Sequence, residues 1–185
     1  MSGMKLDVLE TRTEPWYAEG LKFTCTQCGN CCTGGPGYVW ISNIEIERLA
    51  QFLHLSPQET VERYCRKVDG KFTLKERRMP DGNYDCIFLR EQEGHAAGKQ
   101  LDAGEGVPLR RKICSIYAVR PLQCRTWPFW AENLADPKIW ERSAKRCHGM
   151  NRGARVFGRE EIEALRDAGD WPDNPPTSGV RADNR

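Results

Sequence analysis

Residues 23–35 read Phe23-Thr24-Cys25-Thr26-Gln27-Cys28-Gly29-Asn30-Cys31-Cys32-Thr33-Gly34-Gly35 and contain four of the nine cysteines of the chain. Their spacing is C-x2-C-x2-C-C, and steps of three residues let a tight loop turn successive thiolates toward one centre. The C-x2-C-x2-C run of ferredoxins holds three corners of an iron–sulfur cluster in this way. Zinc sites more commonly use a C-x2-C pair that a distant segment completes. We therefore predict that this stretch, the cysteine knuckle, binds a metal.

The adjacent pair Cys31 and Cys32 is harder to place in a single site. Neighbouring side chains diverge in most backbone conformations. The pair therefore predicts either two centres that lie close together or one thiol that is a spare.

The later cysteines stand singly in separate segments, so the chain must fold back several times to bring them to the knuckle. The alternative for each is a small buried residue, because free cysteine packs as a hydrophobe. Positive charge at Arg120 and Arg125 favours the ligating thiolate of Cys124 between them. The predicted ligands are Cys25, Cys28, Cys31, Cys32, Cys86, Cys114, Cys124 and Cys147.

Other candidates for the site are assigned to the core or left out. Cys65 shares the inner face of a predicted helix with Val61 and Tyr64 and is expected to pack as a core residue. His148 follows Cys147 and could complete a mixed site, but we leave it out as a second-shell or solvent-facing residue. The aromatic stretch 127–130 is expected to shield a cluster from water, rather than to stack a substrate.

Length and composition indicate one soluble domain in a reducing compartment. A chain of 185 residues suffices for one core. We expect no signal peptide and no membrane span, hence a cytoplasmic location, where thiols favour metal over disulfides. The formal net charge of +2 gives no evidence for a nucleic-acid partner. The expected partners are metal ions, and a redox protein is possible in addition.

Local patterns predict an α+β fold of short helices and strands around a cysteine-ligated metal centre. Capping sequences predict helices after Ser42, Ser56 and Asp136, and a further helix over 159–166. Residues 90–111 lack periodicity and predict a surface loop. Strands are expected at 21–23, 38–41, 71–76, 85–89 and 112–117. The predicted organisation is an N-terminal arm (1–20), a metal-binding domain (21–166) and a disordered tail (167–185).

These segments together resemble the YkgJ family of bacterial cysteine-cluster proteins, which are described as zinc- or iron-chelating. The matching pieces are Phe23-x-Cys25-x-x-Cys28-Gly29-x-Cys31-Cys32, Cys86-Ile87-Phe88-Leu89, Cys114-Ser115-Ile116-Tyr117-x-x-Arg120-Pro121-x-x-Cys124-Arg125-x-Trp127-Pro128-Phe129 and Cys147-x-Gly149. The resemblance also extends to the bacterial flagellin lysine N-methylase, which looks like it carries a similar cysteine cluster, and there an iron–sulfur cluster is implied.

Three functions compete on this evidence. The first is an iron-binding protein, with the iron most simply in an iron–sulfur cluster that serves redox chemistry or acts as a scaffold. The second is a structural zinc module. The third is a cluster-dependent enzyme, with methyl transfer implied by the resemblance. The sequence contains no phosphate loop, acid pair or Ser/His/Asp set that would indicate a separate catalytic site.

Overall fold

The computed structural model describes residues 14–94 and 109–168, and the statements below refer to these residues. The helices are α1 (Asn43–Leu53), α2 (Pro57–Tyr64), α3 (Leu122–Thr126), α4 (Ala131–Leu134), α5 (Pro137–Ala144) and α6 (Arg159–Ala168). The strands are β1 (Leu21–Lys22), β2 (Thr33–Gly34), β3 (Cys65–Val68), β4 (Lys71–Leu74), β5 (Glu76–Arg78), β6 (Tyr84–Cys86), β7 (Leu89–Gly94), β8 (Leu109–Cys114) and β9 (Val156–Phe157).

The strands form four small antiparallel sheets, which confirms the α+β class. The sheets pair β1 with β9, order β2-β6-β5, pair β3 with β4, and pair β7 with β8. The β1–β9 pair joins the start of the knuckle to the end of the described chain, with Leu21 opposite Phe157. Strand β2 lies at the end of the knuckle and pairs with β6, so both ends of the knuckle are tied to sheets.

Helix starts follow the local sequence as predicted. Ser42 and Ser56 each cap a helix through a complete capping box, in which the third helical residue is a glutamate that bonds back to the cap. Asp136 caps α5 by accepting the backbone N–H of Lys138 at 2.6 Å. Side-chain oxygens thereby satisfy N–H groups that a helix leaves unpaired in its first turn.

Two hydrophobic clusters divide the interior. The first, the aromatic core, contains Tyr17, Phe23, Phe129, Leu134, Trp140, Met150, Phe157 and Ile162. The second, the aliphatic core, contains Ile41, Ile46, Leu49, Cys65, Leu74, Phe88 and Ile116. The knuckle lies between them, because Phe23 at its start belongs to the aromatic core and β2 at its end leads to the sheet that holds Cys86 beside the aliphatic core.

Several of the predicted elements were wrong in extent. The predicted strand 71–76 is divided, with β4 ending at Leu74 and β5 starting at Glu76, and the predicted strand 112–117 ends with β8 at Cys114. Residues 38–41 form no strand and make one bridge, between Trp40 and Thr73. The predicted strand 85–89 is divided, with β6 ending at Cys86 and β7 starting at Leu89. The predicted loop 90–111 has strand at both described ends, since β7 and β8 pair along their whole length from Leu89 opposite Cys114 to Gly94 opposite Leu109.

The predicted domain boundaries stay a prediction. Trp16 and Tyr17 fall within the predicted arm, yet Tyr17 is buried in the aromatic core and Trp16 donates its indole N–H to the Leu134 carbonyl at 2.8 Å. Nearly all of the predicted tail and most of the predicted arm lie outside the described residues. No helix in the described ranges combines the length and the apolar character that crossing a bilayer requires.

Candidate metal centre

One cavity collects all eight cysteines that the sequence analysis selected. Its volume of about 50 Å³ is several times the space that one water molecule needs. The cavity borders both cores, through Phe23 on one side and Leu74 and Ile116 on the other. Its cysteine lining is Cys25, Cys28, Cys31, Cys32, Cys86, Cys114, Cys124 and Cys147. All nine cysteines of the chain are free thiols.

A single turn of 3-10 helix, Asn30–Cys32, turns both adjacent thiols of the knuckle toward the cavity. Their Sγ atoms lie 3.8 Å apart. The turn starts from Gly29, whose φ of 75° is in the left-handed region that favours glycine. A Cβ on Gly29 would also lie 2.9 Å from side-chain atoms of Leu89 and Lys112, so only glycine lets the knuckle seat this closely on the β7–β8 hairpin.

Each of the four later cysteines arrives on a different element. Cys86 ends β6 and Cys114 ends β8, and both pack against the aliphatic core. Cys124 lies on the short helix α3. Cys147 follows α5, packs against the aromatic core and accepts a hydrogen bond from the Trp127 indole N–H at 3.4 Å. Thiols that pack against both cores therefore face one cavity.

Close backbone contact fixes the Cys147 segment against the knuckle. The Thr24 N–H donates to the Gly149 carbonyl at 3.1 Å. A Cβ on Gly149 would lie 2.1 Å from the Thr24 carbonyl oxygen, and one on Gly153 would lie 2.4 Å from the Thr24 hydroxyl oxygen. Real Cβ atoms do not approach this closely, so both glycines are needed to bring Cys147 beside the knuckle.

The Cys32 thiol shares hydrogen bonds with Cys31 and Cys114, and either thiol of the Cys31–Cys32 pair can be the donor. Its hydrogen bonds to Cys31 and Cys114 lower the pKa of each of these two thiols to about 7, against their desolvation, and raise the pKa of Cys32 itself. Burial raises the pKa of Cys86 to about 11 and that of Cys124 well above its usual value. Buried thiols of this kind lose their proton to a cation that takes its place.

Of the two arginines beside Cys124, the structure brings only one to the cavity. Arg120 lines it, stacks over the Tyr117 ring at 3.6 Å and donates Nε–H to the Tyr117 carbonyl at 3.0 Å. Arg125 instead pairs with the buried carboxylate of Glu45 at 3.5 Å. Arg120 is thus the cation held next to the thiols, and Tyr117, which the sequence analysis did not select, supports it.

Tyr117 also reaches the knuckle itself. A hydrogen bond to the Cys25 thiol raises the pKa of its hydroxyl. Its three-residue spacing from Arg120 on a tight turn was the signal in the sequence that could have identified it. Cys25 and Cys31 are exposed, so the cavity opens to solvent on this side.

The residues that were left out of the ligand set also have their places. Cys65 is buried in the aliphatic core, away from the cavity lining, as predicted. His148 is exposed. Of the aromatic stretch, Phe129 is core and Trp127 lines the cavity, whereas Trp130 bonds to the Gln123 carbonyl.

The donor set fits a soft or borderline metal cation, because thiolates are the ligands that zinc and iron–sulfur centres use. In the described part of the chain, no group of three or more His, Cys, Asp or Glu side chains is already arranged to hold a metal ion. A bound ion would therefore have to draw the sulfurs inward from the cavity wall.

Comparison with known families agrees with this site. Residues 24–148 match the model of the CxxCxxCC family, whose description reads "Putative zinc- or iron-chelating domain". The match covers more than half of the chain. The chain belongs to this family. The matched range begins one residue before the first cysteine of the knuckle and ends one residue after Cys147, so it contains every thiol of the cavity.

The chain is also similar to a curated protein. That protein is the uncharacterized protein MJ0661 of Methanocaldococcus jannaschii, which is 27% identical over 113 residues. The alignment covers 61% of this chain and 48% of the relative, so the chain spans about half the length of that protein. No solved structure matches the chain.

Proposed function

We propose that the protein binds iron through the cysteines that line the cavity, as an iron–sulfur cluster in a redox or scaffold role. The observation that carries this proposal is the convergence of eight thiols from five separated segments upon one cavity. Cysteines that were buried only by chance would lie at separate places in the two cores, as Cys65 does, and would not surround one cavity. The cytoplasm is the expected location, since thiol ligands persist in a reducing compartment.

The spacing of the knuckle favours iron over zinc. Three cysteines at steps of three residues are typical of iron–sulfur proteins, whereas zinc modules more often contribute a pair from each segment. When bound, such a cluster supplies one-electron chemistry. The chain's own groups would hold it, offset its negative charge through Arg120 and limit access of water through Trp127 and Phe23.

A structural zinc centre is the second candidate, and the position of the cavity favours it. The thiols come from segments that pack against different cores, so one bound metal would join the aromatic and aliphatic cores. Small domains commonly draw folding free energy from such a link.

Anaerobic purification followed by metal analysis and a visible spectrum separates the two candidates. The iron proposal predicts brown protein with broad absorption near about 400 nm, the charge-transfer region of thiolate-bound iron. Colourless protein with stoichiometric zinc would support the second candidate and contradict the first. Protein that retains neither metal when purified from cells supplied with both would contradict the proposal as a whole.

Substituting Arg120 should weaken metal binding, and substituting Arg125 should not. We expect Arg120→Gln to lower metal affinity by about 10- to 100-fold, the usual effect of removing a residue that supports ligands from outside the first shell. Arg120→Lys should recover part of the loss, because it keeps the charge but not the Tyr117 contacts. Chelator competition measures the affinity.

Arg125→Gln is the matched control. Arg125 is also an arginine close to Cys124, only one residue away, but its side chain pairs with Glu45. Glu45 keeps its bonds to Ser42 and to the Leu122 N–H. Equal losses of affinity in Arg120→Gln and Arg125→Gln would show that charge at the cavity wall has no special role.

A further inference from the structure

Positive charge is concentrated in the segment that carries Cys147. Between residues 138 and 159 the sequence has seven lysines or arginines and one acidic residue, whereas the formal net charge of the whole chain is only +2. Six of these cations are exposed; Arg155 pairs with Glu161, and the other five are named here the cationic strip: Lys138, Arg142, Lys145, Arg146 and Arg152. Within the described residues, none of the five has a carboxylate partner.

The strip runs along one side of α5 and ends at the knuckle. Lys138, Arg142 and Lys145 are spaced four and three residues apart, so they share the helix side that faces away from the buried Trp140. Arg146 continues the strip and donates to the Thr33 carbonyl, at the end of the knuckle, at 3.2 Å.

Arg152 lies at the other end of the knuckle. Its neighbour Gly153 packs directly on Thr24, next to Cys25. Arg146 and Arg152 therefore lie at the two ends of the knuckle that carries the exposed Cys25 and Cys31.

Helix stability does not account for the strip. Cations near a helix C-terminus are favourable, which covers Arg142 and Lys145, but Lys138 lies in the first turn, where the helix dipole disfavours positive charge. The nearby carboxylates are used elsewhere. Asp136 caps the helix and Glu141 accepts the Asn151 amide N–H at 2.8 Å.

We propose that the cationic strip is the docking surface for an acidic protein, which it places at the open side of the thiol-lined cavity. A row of unpaired cations steers an oppositely charged partner and fixes its orientation. Surfaces for single-stranded nucleic acid add aromatic side chains on which bases stack. The exposed aromatic residues among those described, Trp16, Tyr38 and Phe52, lie outside the strip.

The purpose of docking rests on the proposed function, because the partner would deliver or withdraw a metal ion or an electron at the cavity. Docking itself depends only on surface charge. The two can therefore fail separately, and a binding measurement tests the docking surface whichever metal the cavity holds.

The test compares two variants with the same change in charge. One variant reverses three charges of the strip on α5 (Lys138→Glu, Arg142→Glu and Lys145→Glu together). The control reverses the charge of three exposed residues on the side of the aliphatic core (Arg48→Glu, Lys67→Glu and Arg78→Glu). The probes are a fluorescein-labelled oligoglutamate peptide and an oligothymidylate of equal charge, followed by fluorescence anisotropy at several salt concentrations. Circular dichroism verifies folding, and metal analysis of the same samples reports separately on the cavity.

We expect the strip variant to bind the peptide at least about tenfold more weakly, with a reduced salt dependence, and the control to stay close to the unmodified protein. Equal loss in both variants would overturn the proposal, as would tighter binding of the oligothymidylate than of the peptide. Lost peptide binding with unchanged metal content supports the docking surface. Absence of metal with retained peptide binding contradicts the proposed function only.

Discussion

Replacing Cys114 with alanine should reduce metal affinity by about 100-fold or more. Substituting a residue that only positions the ligands already lowers metal affinity by about 10- to 100-fold. Loss of a ligand itself should have a larger effect. Cys114 is a sensitive choice because its interaction with Cys32 lowers its pKa to about 7 and because it lies at the end of β8. Metal content after purification and chelator competition measure the effect.

Cys65→Ala is the matched control, because it makes the same substitution in a buried cysteine of the aliphatic core that does not line the cavity. It should cost some stability through lost packing and leave metal content unchanged. If both variants kept their metal equally, Cys114 would not be a ligand. If both lost it equally, metal binding would depend on general stability rather than on the thiols.

Gly149→Ala should unfold or strongly destabilise the protein. The added methyl group would lie 2.1 Å from the Thr24 carbonyl oxygen, a backbone atom that cannot move without breaking the contact between the Cys147 segment and the knuckle. Overpacking of this kind costs about 1–3 kcal/mol and occasionally more. In a domain of this size, where 1 kcal/mol corresponds to about 2–4 °C, the melting temperature should fall by roughly 2–12 °C. Thermal unfolding followed by circular dichroism measures it.

Gly37→Ala provides the comparison for this substitution. Its Cβ would meet only the Glu76 carboxylate oxygen at 3.9 Å, an ordinary contact, and the melting temperature should change little. A Gly149→Ala protein as stable as Gly37→Ala would show that the Cys147 segment does not pack on the knuckle as described.

The sequence predicts well those features that depend on residues close together in the chain. The capping boxes at Ser42 and Ser56 are complete within four residues, so their helices could be assigned without knowledge of the fold. Cys65 is buried in the core as its helical spacing from Val61 predicted, although it begins β3 and does not lie in the helix. The choice of eight cysteines for the cavity also depended on local context, in which only Cys65 was assigned to the inner face of a predicted helix.

What the sequence does not predict depends on partners far along the chain. The charged residues of β7 and β8 look like loop until the register sets Glu91 opposite Lys112 across the hairpin. Tyr38–Ile41 has strand composition, but its backbone meets Thr73 at a single bridge. Arg120 and Arg125 are equivalent in sequence, and only the buried Glu45, some 80 residues earlier in the chain, separates their roles. The contact of Gly149 with Thr24 likewise could not be predicted from the sequence.

X-ray absorption at the edge of the metal that copurifies with the anaerobically prepared protein tests the central claim most directly. We predict a first shell made of sulfur, with metal–sulfur distances near about 2.3 Å, and its loss in the Cys114→Ala protein. A first shell of nitrogen or oxygen atoms would contradict ligation by the converging cysteines. So would a sulfur shell that persists unchanged in Cys114→Ala and disappears in Cys65→Ala.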